Sequence, residues 1–169
     1  KGLIPTLIGI SLFQYKGHAN PMAIDALSPY AVELPILKAQ ILQILTGLAA
    51  IIGHNYSPWI GFKGGKGIAT SGGVLIALMP AAVVILLIIW AIIFFTSKYV
   101  SVASIGAALC LPILTIAGSA FHGKIENGTW NKPLFVFSII VSLMAVWRHR
   151  SNIVALKNGT ENKFTKKKK

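Results

Sequence analysis

Apolar residues in this chain do not alternate with polar ones; they run on in long blocks. Counting His as neutral, no charge falls between Ala39 and Phe62, between Gly67 and Ser97, or between Tyr99 and Gly123. Shorter uncharged runs cover Gly2–Tyr15 and Pro133–Trp147. A helix that crosses a bilayer needs about 20 apolar residues, roughly 17 to 25, and several of these blocks qualify. The pattern predicts helices over Gly2–Phe13, about Glu33–Gly53, Val100–Ala117 and Pro133–Trp147. Polar loops are expected at Gln14–Pro29, which holds Asn20, Pro21 and Asp25, and at His122–Lys132. A third loop, rich in Gly, Pro and aromatics, covers His54–Gly67. The block Ile68–Thr96 is too long for one upright span, and Pro80 lies inside it. Proline removes a helix hydrogen bond and clashes with the preceding turn, so a break is expected there.

The fold class read from this pattern is all-α: a polytopic transmembrane helical bundle with about six helices, some of them short. It forms a single domain over residues 1–169, closed by a basic tail, residues 148–169. The chain opens on Lys1 with a first apolar run too short to span. It is therefore expected to begin part-way into a longer protein.

Composition sharpens the membrane assignment. The chain is 54% hydrophobic and only 12% charged, about half the charged content of an ordinary soluble domain. Sixteen Lys and Arg stand against four acids, for a net charge of +12. So few charged positions exclude the broad cationic surface of a nucleic-acid binder. The apolar content excludes disorder, and the single Cys110 excludes a disulfide scaffold.

The cations also order the loops, because cytoplasmic segments carry the excess of Lys and Arg. Arg148, Arg150, Lys157, Lys163 and Lys166–Lys169 place the tail inside, and Lys63 and Lys66 place their loop there too. An even number of spans must separate two internal segments. Breaking Ile68–Thr96 at Pro80 satisfies the count with Ile68–Met79, Ala81–Thr96 and the two helices that follow. A 12-residue helix covers only about 18 Å, so the first of these spans needs a thinned membrane or an inward-dipping end. The turn Ser97–Ser101 then falls on the same face as the lysine loop and the tail. Three polar segments are expected to converge.

The lysine loop reads Gly61-Phe62-Lys63-Gly64-Gly65-Lys66-Gly67-Ile68-Ala69-Thr70. Adjacent glycines let backbone N–H groups approach an anion, and the helix N-terminus that follows adds partial positive charge. Lys66 and Lys63 supply full charges, so a phosphate is the natural guest. Gly67 follows Lys66 where a nucleotide P-loop needs Ser or Thr, and no strand precedes the loop. The plain alternative is a flexible loop whose lysines only obey the positive-inside rule. In the tail, His149 and Asn152 share a helix face at i and i+3. His149 could serve as acid, base or anion donor, or it could belong to an interfacial collar with Arg148 and Arg150. His54 and Asn55 stand at the mouth of the glycine loop, where helix termination is an equal role. Ser101 and Ser104 could bind phosphate or cap a helix. Glu161 suits ion pairing better than catalysis, and Lys38 is expected to snorkel. The terminal lysines are expected to be solvated or to touch lipid headgroups. His18 and His122 have no partners that suggest a metal site. No metal or cofactor is expected.

Taken in order, Gly53-His54-Asn55, Gly61–Ser71, Lys98–Ile105, His149–Ile153 and Gly159–Phe164 resemble the bacterial acyl-phosphate-dependent glycerol-3-phosphate acyltransferases, the PlsY family. The resemblance implies a seven-helix inner-membrane enzyme with a cytoplasmic C-terminal tail. Such an enzyme moves a fatty acyl group from acyl phosphate to the 1-position of glycerol-3-phosphate. Lysophosphatidic acid and phosphate are released, the first step of bacterial phospholipid synthesis. It further implies phosphate binding by Gly64, Gly65, Lys66 and Gly67, essential roles for His149 and Asn152, a site serine at Ser101 and a structural Glu161. Lys63, His54, Asn55, Ser104 and Arg150 are further candidates for lining the site. The family's first helix and its Ser-Gly-Asn segment have no counterpart here.

The residues agree with that chemistry. The only aspartate, Asp25, lies in a loop expected to be external, so no Ser-His-Asp triad can form on the cytoplasmic side. Direct attack on an already activated acyl donor is expected instead, with His149 taking the proton or orienting a phosphate that takes it. The expected partners are the two phosphate-bearing substrates and the bilayer, with no nucleic acid and no obligate protein partner. A small transporter for an anionic solute is the alternative, since Pro80 and Gly72-Gly73 would suit a discontinuous-helix site. Transporters usually place polar groups near mid-membrane, whereas here they gather at one face.

Overall fold

The computed structural model describes residues 1–16 and 21–164. His18, Asn20 and Lys166–Lys169 lie outside the described residues. Among the described residues, seven α-helices follow one another: α1 (Leu3–Leu12), α2 (Ile36–Asn55), α3 (Ile68–Leu78), α4 (Pro80–Ser97), α5 (Val100–Phe121), α6 (Lys132–Arg148) and α7 (Arg150–Lys157). The all-α reading holds, and the expected break falls one residue before Pro80. Met79 sits at φ −155° between α3 and α4, and Pro80 opens α4 at its first position. Proline is tolerated there because the first helical N–H has no partner to lose.

Hydropathy alone misplaces the start of the second helix. Val32–Leu34 is a strand (β2), paired in parallel with Phe13–Tyr15 (β1), with Gln14 opposite Glu33. Pro35 explains the late start, since the residue before a proline is pushed toward extended backbone, and α2 begins just after it. Gln43 of α2 fastens the ribbon: its amide donates to the Phe13 carbonyl at 2.5 Å, and the Tyr15 hydroxyl donates back to its Oε1 at 3.3 Å. The polar tail is also more regular than its composition implies, because Arg150–Lys157 is helical and bent by 52° from α6.

Ile36–Ile60, Pro80–Ser97 and Val100–Phe121 are long and apolar enough to cross a membrane, and α6 with α7 qualifies as a bent pair. At eleven residues, α3 reaches only about 16 Å at 1.5 Å per residue. The buried core joins Ile44, Ile51, Val74, Leu75, Leu86, Leu111, Phe137 and Val141 across α2 to α6. In α4 only Leu86 is buried, and Val84, Leu87, Ile92 and Phe95 are exposed. A helix apolar on all sides has its outer face toward lipid.

Candidate functional site

The three expected segments do converge. Phe164 donates its backbone N–H to the Lys98 carbonyl at 2.8 Å, which ties this stretch of the tail to the α4–α5 turn. The Phe164 ring packs on Phe94, centroids 5.5 Å apart. This closure delivers Glu161 to the start of α5. There one carboxylate oxygen accepts from the Ser101 hydroxyl at 2.6 Å and from the Asn152 amide at 2.8 Å. The other end of that amide, Oδ1, accepts from Lys66 Nζ at 2.7 Å. Lys66, Asn152, Glu161 and Ser101 thus form one chain of hydrogen bonds. The Ser101 bond, then the Asn152 bond, hold the Glu161 carboxyl below its ordinary range, because both stabilise the charged form.

The glycine loop is shaped from behind. Gly64 donates its N–H to the Asn55 carbonyl at 3.2 Å, and a Cβ there would strike the backbone oxygen of His54. Gly67 takes φ +79° just before α3, and a Cβ on it would run into Asn55 Oδ1. Only glycine satisfies both demands. The N-terminus of α3 has no side-chain cap, so its first N–H groups are available to an anion. From the far side, Arg148 donates to the carbonyls of Gly64 and Gly65 at 2.6 and 2.7 Å. Its guanidinium also stacks over Tyr56 at 5.3 Å. Turning these carbonyls toward Arg148 occupies the loop's acceptors. Sequence reasoning grouped Arg148 with an interfacial collar. Backbone carbonyls, its partners, leave no trace in sequence.

His149 sits at the bend, 3% exposed. Its Nδ1 lies 2.8 Å from the Ala145 carbonyl. A carbonyl can only accept, so Nδ1 carries the proton and Nε2 keeps a lone pair in the neutral ring. Burial lowers the ring's pKa, outweighing the raising effect of the Ala145 bond, and Lys66 lowers it further.

These groups close one end of a cleft of about 860 Å³, near the upper end of ordinary ligand sites. His54, Lys66, Gly67, Ser101, Ser104, His149, Asn152 and Glu161 line it, and the walls beyond are apolar, including Leu75, Val83, Leu86, Leu111 and Val141. Ser104 accepts from the Trp90 indole at 3.2 Å, bridging α4 and α5. A Cβ on Gly65 would come 2.7 Å from His54 Nε2, so that ring packs directly on the loop. Five candidates stand outside the lining, Gly64 and Gly65 among them, held back by Asn55 and Arg148. Lys63 is exposed, Asn55 is buried behind the loop, and Arg150 stacks over Trp147 on the other side of the bend. A charged end facing a long apolar body suits a molecule with a phosphate and a hydrocarbon chain.

Residues 1–159 match the family described as glycerol-3-phosphate acyltransferase. A glycerol-3-phosphate acyltransferase of Fusobacterium nucleatum is 45% identical over 121 residues, covering 72% of this chain and 57% of the relative. One of Syntrophomonas wolfei is 40% identical over 129 residues, covering 76% and 61%. The chain therefore spans roughly six-tenths of the length of these curated relatives. The crystal structure of PlsY, an integral membrane glycerol 3-phosphate acyltransferase, in its lysophosphatidic acid form aligns with a TM-score of 0.69 at 30% identity. That alignment covers 97% of this chain and 67% of the other. The glycerol 3-phosphate form of the same enzyme aligns with the same score and identity.

Proposed function

Since the chain belongs to the glycerol-3-phosphate acyltransferase family, we propose that the whole protein transfers a fatty acyl group from acyl phosphate to the 1-hydroxyl of glycerol-3-phosphate at the cytoplasmic face of the bacterial inner membrane. The observation that carries this reading is the cleft itself, with Lys66, His149 and Asn152 at its polar end and an apolar body behind them. The phosphate of glycerol-3-phosphate rests against Lys66 and the uncapped start of α3. The acyl chain lies between α3, α4, α5 and α6, and the acyl phosphate carbonyl meets the polar end.

The hydroxyl oxygen attacks the acyl carbon directly. The bond from that carbon to the phosphate oxygen breaks, and inorganic phosphate leaves. His149 Nε2, held as the acceptor by the Nδ1 bond to Ala145, takes the hydroxyl proton and returns it to the departing phosphate. Lys66 and the loop amides stabilise the developing oxyanion charge. Ser101 is not the nucleophile in this scheme. Its proton is bound to Glu161, and a carboxylate of lowered pKa is a weak base. No acyl-serine is formed.

The test incubates the full-length protein in lipid with labelled glycerol-3-phosphate and acyl phosphate. Labelled lysophosphatidic acid is expected, and His149→Ala should abolish it without unfolding the protein. Uptake of label into vesicles with no product would replace the enzyme reading with the transporter. Normal turnover by His149→Ala would remove the proposed role of that residue.

A further inference from the structure

The bend between α6 and α7 has a second face that the cleft does not use. His149 and Asn152 line the cleft, whereas Arg150 belongs to a separate groove. Leu143, Met144, Val146 and Trp147 of α6 and Ile153 of α7 line that groove, of about 520 Å³, with Arg150 as its one charged residue. The guanidinium is held in place: it stacks over the Trp147 ring at 5.0 Å and donates to the Trp147 carbonyl at 3.2 Å. One N–H of five is engaged there, and a planar fork of such donors matches phosphate oxygens. Lys157, seven residues on, shares the Arg150 face of α7, and α7 contains no acid.

We propose that this groove binds one acidic phospholipid of the surrounding bilayer. Its acyl chain lies along Leu143, Met144 and Ile153, and its headgroup phosphate lies against Arg150 and Lys157. Charge complementarity selects this occupant: a soluble anion has no use for the apolar groove, and a zwitterionic lipid offsets its phosphate with its own cation. The bound lipid steadies α7, the helix that presents Asn152 to Lys66 and Glu161.

Trp147 reports the site directly. The full-length protein is placed in nanodiscs containing a small fraction of lipid with brominated chains, either acidic or zwitterionic. Quenching of Trp147 is obtained by subtracting the emission of Trp147→Phe. One basic residue near an anionic surface corresponds to about a five-fold local preference, so quenching by the acidic lipid should be several-fold greater. Arg150→Gln should bring the two lipids to parity, and Arg150→Lys should fall between. Lys124→Gln, in the loop beyond α5, should keep the full preference. Thermal melting checks that each variant is folded. Equal quenching by both lipids in the unmodified protein would overturn the proposal, as would an unchanged preference in Arg150→Gln. Loss of the preference on adding inorganic phosphate would assign the site to a free anion and overturn it as well.

Discussion

Replacing Arg148 should damage substrate binding more than chemistry. Its guanidinium makes two short bonds to the Gly64 and Gly65 carbonyls and stacks on Tyr56. It reaches no reacting group in the proposed scheme. A hydrogen bond to a charged group contributes about 1.5 to 3 kcal/mol. Arg148 is only half-buried, so the low end applies, and two bonds come to about 3 kcal/mol. Part of that sum returns when the freed carbonyls meet water. The loss charged to ordering the loop around phosphate is then about 2 to 3 kcal/mol, or roughly 30- to 150-fold in affinity. Steady-state kinetics of Arg148→Ala in the full-length enzyme should show this rise in KM for glycerol-3-phosphate, with kcat within about three-fold. Arg148→Lys keeps the charge but not the fork, and its KM should rise about ten-fold. A KM near the normal value in Arg148→Ala would refute the reasoning. So would a fall in kcat at constant KM, which would place Arg148 in the chemical step.

Three further outcomes are expected. Gly67→Ala forces a side chain into the left-handed region at φ +79° and against Asn55 Oδ1. The strain is about 1 to 2 kcal/mol before any contact is counted, and a KM for glycerol-3-phosphate raised at least about ten-fold checks it. Because the folded protein lowers the His149 pKa, kcat/KM should decline on the acid side with a midpoint below the ordinary 6.5. A midpoint above that value would contradict a neutral base. Glu161 has a folded pKa below its ordinary 4.5. Its stabilising contribution is therefore present above pH 4.5 and is lost as pH falls through the lower folded value. The melting-temperature gap between wild type and Glu161→Gln should be constant near neutrality and close in that acid range.

How much of this was legible follows the kind of partner each residue has. Side chains that announce themselves in sequence, such as Pro80 within an apolar block or Lys66 among glycines, gave the helix break and the phosphate end of the cleft. Asn152 and Glu161 were visible as candidates, but their shared hydrogen bond was not. It depends on Phe164 returning to Lys98, a backbone contact between residues far apart in sequence. The ribbon of β1 and β2 escaped because each strand is three residues long, too short for an alternating pattern to emerge. Arg148, His149 and Arg150 read as one collar. Each residue turns about 100° on a helix, so three neighbours can serve the glycine loop, the cleft and the lipid face separately.

Asn152 has a further consequence as an insulator. Lysine can only donate and a carboxylate can only accept, so the amide between them has one possible orientation, oxygen toward Lys66 and nitrogen toward Glu161. Side by side, the two charges would neutralise each other, and the lysine would have little attraction left for phosphate. With a neutral spacer of opposed polarity between them, Lys66 keeps most of its charge and two of its three donors for an incoming anion, while the carboxylate stays engaged with Ser101. Aspartate at position 152 would set oxygen against oxygen, and serine would be too short to reach both. Among side chains of this length, only asparagine can hold a cation and an anion in one site without letting them pair.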